Sequence, residues 1–312
     1  FTDIYGPFPL SMDKDNAEVY SSQRDIYLQL INDLDKATAY IASDVNLANE
    51  KTVFAPYDLV YKGDFNKWRK FANSLKLRIA VRISNVEPAM ARSLAEQAVR
   101  DGVIEDNEEN CTISYNKSGL WTTAVSWGDS RICADLESYM TGYRDSRLSK
   151  YFLQPNVAGS RKFIGCRAGA LIESNVLAKR LYSTVNLSET TPGVWLTASE
   201  MAFCKAEGVL RGWNMGSGTV RDFYEQGIKL SFKQWGADGV AAYLLDDTSV
   251  EADYTDASGG FGGNVTKVST ITIKWNDNAP MAEKMERLIT QKWIALFPNG
   301  QEAWNEIRRT GY

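Results

Sequence analysis

Apolar residues recur at helical spacing in two long parts of the chain and lose that spacing between them. Beginning at SSQRDIYLQLINDLDKA, residues Ile26, Leu30, Ile31, Leu34, Ala37 and Ile41 form one stripe of a 3.6-residue period. Ser22 and Asp25 precede it in an S-x-x-D pattern, which places a helix start at Ser22. After a loop holding Pro56 and Gly63, Asp64 caps a second helix, NKWRKFANSLKLRIAVRIS. Trp68, Ala72, Leu75 and Ile79 share one of its faces, while Phe71, Leu77 and Val81 lie elsewhere. A surface helix needs a single stripe, so this one is expected to sit between neighbours. A third helix runs from Pro88 to Arg100, with proline in its first turn and Gly102 beyond its end.

From Glu105 to Val194 the helical period mostly fails. Strand-like pieces, CTISY and then SGLWTTAVSWGDS, precede one helix, RICADLESYM, ending at Gly142. A long polar stretch with scattered glycines then fills 151–194. Structureless stretches of this length inside a domain usually carry function, so a site is expected here. Helical order returns at LTASEMAFCKAEGVLRGW, where Thr197 and Glu200 make a T-x-x-E capping pattern. The turn NMGSG leads to TVRDFYEQGIKLSFKQW. Gly208, Val220, Tyr224 and Gly227 fall where tetratricopeptide repeats place small, small, aromatic and small residues. Cys204, Glu207 and Arg211 stand where that pattern wants apolar side chains. A glycine-rich loop, SGGFGG, and an alternating strand with Ile271, Ile273 and Trp275 on one side precede a helix from Met281 to Leu296. Pro298 cannot continue that helix and Asn299-Gly300 supplies a turn, so the tail is expected to fold back. Trp304 and Ile307 are then expected to face Trp293 and Leu296, locking the terminus. Arg308 and Arg309 fall in the last turn, where cations favour the helix dipole.

Composition narrows the chemistry. The 312 residues carry a net charge of −4, which argues against nucleic acid as a partner. Lys67, Arg69, Lys70, Lys76, Arg78 and Arg82 are scattered around the second helix, so they are read as solvated or ion-paired. Histidine is absent, which removes Ser-His-Asp, Cys-His and His-zinc chemistry. The four cysteines, Cys111, Cys133, Cys166 and Cys204, show no C-x-x-C spacing and no zinc pattern. They read as small buried thiols, with one disulfide possible and its pairing open. The longest apolar run, Trp293 to Phe297, is far short of the roughly 20 residues a membrane span needs. The opening FTDIYGPFPL, aromatic and turn-rich, reads as an internal cut with targeting information lying outside it.

The acidic runs DNEEN (106–110) and DDTSVEADYTD (246–256) lack the EF-hand order and are read as solvated loops rather than cation sites. A glycosidase needs two carboxylates in one cleft, and nothing selects a pair among the 39 acids. Nine Trp, fifteen Tyr and twelve Phe exceed what packing alone suggests and suit a surface that stacks on sugar rings. Trp121 and Trp127, six apart in a Gly- and Ser-rich stretch, are either that platform or packing residues. Asp129, Arg131, Arg147 and Arg167 share the region and supply hydrogen-bonding groups for hydroxyls. The candidate ligand-binding set is Trp121, Trp127, Asp129, Arg131 and Arg167, with no catalytic or metal residue.

Three long strings carry a family likeness: GDFNKWRKFANSLKLRIAVRIS (63–84), the AEGVLRGW and FYEQGIKLSFKQWG pair, and TQKWIALFPNGQEAWNEIRRTGY. With SSQRDIYLQLINDLDKA and RDSRLSKYF, they appear in the order of the SusD/RagB family of nutrient-binding outer-membrane lipoproteins, which this chain resembles. Ser146 stands where that family more often has proline. The resemblance implies a mostly α fold of tetratricopeptide-like helix pairs, with a loop-rich insertion and a few short strands. On it, 1–312 is one domain lacking the family's amino-terminal part, with a helical scaffold over 1–104 and 195–312. The loop-rich ligand-binding region spans 105–194. The resemblance further implies surface capture of glycan or oligosaccharide without turnover or cofactor, and delivery to a TonB-dependent (SusC-like) outer-membrane transporter. Membrane contact would come only through a lipid anchor outside this chain. Its ligand contacts form no shared string, so no binding residue transfers by position. A peptide-binding member, a tetratricopeptide-type protein scaffold and a glycoside hydrolase are the competing readings.

Overall fold

The computed structural model describes residues 1–10, 19–43, 47–114, 116–155, 163–257 and 263–312, with side chains left aside at 47–49. The chain opens with a short α1 (Thr2–Tyr5), followed by α2 (Gln23–Ser43), α3 (Leu47–Phe54), α4 (Phe65–Ile83) and α5 (Pro88–Asp101). The middle holds β1 (Cys111–Ile113), α6 (Gly119–Trp121), α7 (Ala134–Gly142), α8 (Leu148–Tyr151), β2 (Phe152–Leu153), α9 (Asn175–Leu181), β3 (Thr184–Val185) and β4 (Gly193–Leu196). Helices α10 (Ala198–Leu210), α11 (Val220–Trp235), α12 (Val240–Leu245), α13 (Met281–Ala295) and α14 (Gly300–Thr310) complete it.

Local chemistry sets several helix starts. Ser22 accepts the Asp25 N–H at 3.1 Å and Asp64 accepts those of Asn66 and Lys67, as their positions predict. Thr197 accepts the Glu200 N–H, but the Glu200 carboxylate is drawn away to Arg78 at 2.6 Å rather than closing the box. The full reciprocal box forms instead at Thr219 and Asp222. Between Pro56 and the second helix's cap the chain is a loop as expected, while α3, just before it, is a helix that the apolar period does not mark.

Helix α4 is buried on more than one side, packed by α2, α5 and α10. Four of its six basic residues are ion-paired rather than a binding face: Lys70 with Glu109, Lys76 with Asp35, Arg78 with Glu200, and Arg82 with Glu302, while Lys67 donates to the Glu108 carbonyl. Close approach in the helix pairs comes from small residues. Ala91, Ala95 and Ala98 are fully buried on α5, and a Cβ on Gly227 of α11 would lie 2.8 Å from the Phe203 ring of α10. These are the paired helices that the tetratricopeptide-like spacing at 208–227 predicts.

Several expectations fail for identifiable reasons. The SGLWTTAVSWGDS stretch is not strand-like; it forms α6 and a wide π-type turn over Thr122–Ser126, because Ser118 caps it by accepting the Trp121 N–H at 3.1 Å. Only the first three residues of CTISY are a strand, and Tyr115 lies outside the described residues. The 151–194 stretch holds α9, the short antiparallel β2–β3 ribbon and the start of β4, which pairs back to β1, rather than being structureless. Ile271, Ile273 and Trp275 alternate inward as predicted, but no ladder forms there. Side chains take the carbonyls instead: Tyr143 donates to Ile271, Tyr224 to Ile273 and Arg287 to Thr272. The SGGFGG loop, apart from Gly263, lies outside the described residues. The second acidic run is not simply solvated: buried Glu251 accepts the Val268 and Ser269 N–H groups, and buried Asp256 accepts the Tyr182 hydroxyl.

The tail folds back as predicted, with Asn299 accepting the Glu302 N–H, yet it docks by the opposite face. Trp304 is 56% exposed and Ile307 43%, while Glu302, Asn305 and Glu306 point inward. The lock is ionic. Arg309 donates to both Glu207 oxygens at 2.6 and 2.7 Å and to Glu306 at 2.6 Å; Lys292 meets Glu306 at 2.9 Å. Burial opposes ionisation of Glu207, Glu302 and Glu306, but Arg309, Arg78 and Lys292 in turn outweigh it and hold all three carboxyls below their ordinary range.

Two outcomes follow from this lock. Glu207→Ala should lower unfolding free energy in urea by about 3–5 kcal/mol, because it removes one of the two carboxylates that hold buried Arg309 and leaves Glu306 alone to balance it, whereas Trp304→Ala should cost less than about 1 kcal/mol. Depressed carboxyls stabilise the fold above their unfolded value and lose that contribution as pH falls through the folded one. The urea midpoint should therefore fall steeply below about pH 4.

Candidate functional site

The β1–β4 ribbon pairs Cys111 with Leu196, Thr112 with Val194 and Ile113 with Gly193. It staples the two ends of the loop-rich region to the scaffold, and Lys117 N–H extends the pairing to the Glu189 carbonyl at 2.8 Å. Everything between is an excursion held at its base. Next to that base lies a cavity of about 1090 Å³. Trp195 of β4, Leu120 of α6, Phe71 and Leu75 of α4, Trp235 at the end of α11, and the 298–301 turn form its walls.

Each wall has a local cause. Arg78, neutralised by Glu200, also donates to the Trp195 carbonyl at 3.0 Å, fixing the strand while the indole remains 46% exposed. Trp235 ends α11 just before Gly236, whose φ of 57° supplies the left-handed stop. Its ring packs on Tyr151 and Phe297, with centroids 4.8 and 5.3 Å away. Its buried indole N–H has no partner among the described residues. Asn107 and Asn110 line the cavity but spend groups on the scaffold: Asn107 donates to the Leu230 carbonyl and Asn110 accepts the Ala198 N–H. At the mouth, Glu108 and Lys233 pair at 3.1 Å. The Glu108 backbone N–H, and then Lys233, hold this carboxyl below its ordinary range.

The residues singled out from sequence fall mainly in a second neighbourhood, against α9. Trp127 is 59% exposed and its carbonyl accepts the Lys179 ammonium at 2.6 Å; Asp129 lies 3.9 Å from the same ammonium. Arg131 donates to the Ser130 and Ala178 carbonyls, and burial lowers its pKa. Trp121 is half-buried at the end of α6, with the Lys117 ammonium 5.9 Å from its ring centre. It adjoins Leu120 and so links this neighbourhood to the cavity rim. Arg167 is distant from them in chain but exposed beside Gly263, next to Cys166, which pairs with the backbone just after Arg131.

Arg147 does not belong to any such surface. It is fully buried, paired with Asp145 at 2.6 Å and 4.6 Å from the Phe232 ring centre, so it cannot reach a ligand hydroxyl. Trp195 and Trp235 are the residues that sequence reasoning passed over. Trp195 stands one residue beyond the region treated as loop, and Trp235 reads as helix packing. The available signal was the position of each at an element boundary, where a large ring can serve a wall. Among the described residues, no group of three or more His, Cys, Asp or Glu is placed to hold a metal ion, and no helix is long and apolar enough to cross a membrane.

Comparison with known proteins agrees with this architecture. The profile of the family described as "SusD-like: Susd and RagB outer membrane lipoprotein" matches residues 1–312. A SusD homologue from Bacteroides thetaiotaomicron superposes with a TM-score of 0.92 at 40% identity, and one from Bacteroides uniformis with 0.88 at 41%. A chitin-binding SusD homologue from Flavobacterium johnsoniae gives 0.92 at 38%. All of this chain is covered in each case, and 65% of each of those chains, so it spans about two thirds of their length. A search among curated proteins returned no match. The chain belongs to the SusD-like family of outer-membrane lipoproteins, and its fold is the mostly α fold of those relatives.

If Trp195 is held by its backbone rather than by its ring, Trp195→Ala should change the unfolding free energy by less than about 1 kcal/mol. Trp235→Ala, which removes a ring from an aromatic cluster, should cost about 3–5 kcal/mol. Urea denaturation followed by circular dichroism checks both.

Proposed function

We propose that this chain forms the glycan-capturing body of a cell-surface nutrient-binding protein. It binds oligosaccharide without chemical turnover and passes it to a TonB-dependent (SusC-like) outer-membrane transporter. The observation that carries the reading is the cavity between Trp195 and Trp235 in a chain matched to the family end to end. Pyranose rings have flat apolar faces that stack on indole, while amide and charged groups around them take the hydroxyls. Trp195 supplies such an exposed ring and Asn299, Gln234 and Lys233 line the same space.

A binding role rather than hydrolysis is supported by the acids. Glycoside hydrolysis requires two carboxyl groups flanking the bond, one with a raised pKa. Among the described residues, Glu108 is the one carboxylate lining the cavity, and its surroundings lower it. The patch of Trp121, Trp127, Asp129 and Arg131, together with Arg167, is proposed as the outer rim met by a longer chain. Residues 105–194 add Leu120 and the outer rim to this site, while Trp195 and Trp235 come to it from the scaffold of 1–104 and 195–312.

The chitin-binding relative makes N-acetylglucosamine oligomers the first probe. Calorimetry should detect saturable binding of these or another oligosaccharide, with no sugar released. Trp195→Ala should weaken affinity roughly tenfold, the loss of about 1.4 kcal/mol of stacking. Replacing Trp121 and Trp127 together should weaken long oligomers more than short ones. Binding to peptides with none to any glycan would overturn the reading, as would reducing-sugar release.

A further inference from the structure

The four thiols divide into two kinds. Cys111 and Cys204 are buried in the core, on β1 and α10, where burial pushes them up to about 11 and 12. Cys133 and Cys166 are half-buried, and their backbones pair in an isolated parallel bridge. The Cys166 N–H donates to the Ile132 carbonyl at 2.8 Å and the Ala134 N–H to the Cys166 carbonyl at 2.9 Å. The same pattern continues on the next segment, since Ile132 N–H reaches the Ser183 carbonyl and Ser183 N–H reaches that of Ile164.

This pairing fixes the two backbones. Residues opposite one another on neighbouring strands lie about 4.7–4.9 Å apart, within the roughly 4.4–6.8 Å between Cα atoms that a disulfide needs. A separate feature shows how tight the approach is. A Cβ on Gly165 would fall 2.7 Å from the Ala134 Cα, so glycine is required beside Cys166 for the segments to touch. Members of an outer-membrane lipoprotein family pass through the periplasm, where disulfides form and persist.

We propose that Cys133 and Cys166, free thiols in this structure, are joined by a disulfide in the exported protein, leaving Cys111 and Cys204 reduced. The bond closes the loop between α7 and the 163–167 segment, and holds Arg167 beside the start of α7. The oxidant is a protein disulfide of a periplasmic thiol oxidase. One cysteine thiolate attacks that disulfide, forming a mixed disulfide and releasing the oxidase's first thiolate. The second cysteine thiolate then attacks the bound sulfur and expels the other. Two thiols lose two protons and two electrons, and the oxidase becomes a dithiol.

The test is a peptide map of the full chain exported to the periplasm of a Gram-negative host, denatured without reductant in an alkylating agent. The expected result is alkylation at Cys111 and Cys204 alone. Trypsin should then release the peptide ICADLESYMTGYR joined to FIGCR, less two hydrogens, and reductant should separate them. Alkylation of all four thiols would overturn the proposal, and so would a linkage involving Cys111 or Cys204. The same chain kept in the cytoplasm should alkylate at all four positions, which shows that the reagent reaches each one.

Discussion

The fold depends on a line of buried charges running from α4 through α10 and α13 into α14. Glu207 of α10 is fully buried and is held by Arg309 from the last helix; Arg309 also holds Glu306, which in turn holds Lys292 of α13. Glu302 reaches the other way, to Arg82 of α4 and, at 3.9 Å, to Arg78. Arg78 then binds Glu200 and the Trp195 carbonyl. Charges of this kind are costly to desolvate and remain only when every member is paired. The network therefore acts as a register mark: one docking position of α14 satisfies it, and a slip by one residue would strand several ions. It also reaches the cavity, because the same Arg78 that joins the network sets the strand bearing Trp195.

This explains why some features were legible in the sequence and others were not. The helix pairs follow from apolar period and caps, as at Asp64, and from small residues at contact points, as at Gly227. Glu207 and Arg211 looked like defects in the tetratricopeptide pattern at 204–211. They are instead the docking point of the tail, with Arg211 and Arg309 both on Glu207. The inverted helix α14 follows from the same cause. An apolar stripe predicts the inward face only when the partner surface is apolar, and here the partner presents Glu207, Lys292, Arg78 and Arg82. Trp304 and Ile307 were assigned inward on a rule that this surface reverses.

The loop-rich region was legible as a place but not as a shape. Failure of the helical period over 105–194 marked where the cavity's strand and rim would be found, yet α6 and the π-type turn depend on one serine cap, and β1–β4 pairs residues far apart in sequence. Trp121 and Trp127 were visible because they stand in polar surroundings. Trp195 and Trp235 were not, because each lies within or at the end of a regular element and is brought to the cavity by tertiary packing. The candidate site is thus a product of the scaffold: the middle of α4, the end of α11, one strand and one turn supply its walls, while the loop contributes the rim.

The central claim is that oligosaccharide enters between Trp195 and Trp235 rather than lying on the exposed patch at Trp127. Two-dimensional nuclear magnetic resonance of the indole N–H groups, assigned by single substitutions, tests it during titration with an N-acetylglucosamine oligomer of a few units or with whichever glycan calorimetry shows to bind. The account predicts saturable shifts of the Trp195 and Trp235 signals, with the Trp127 signal unmoved by the shortest oligomers that bind. Shifts at Trp127 with Trp195 and Trp235 unchanged would contradict it.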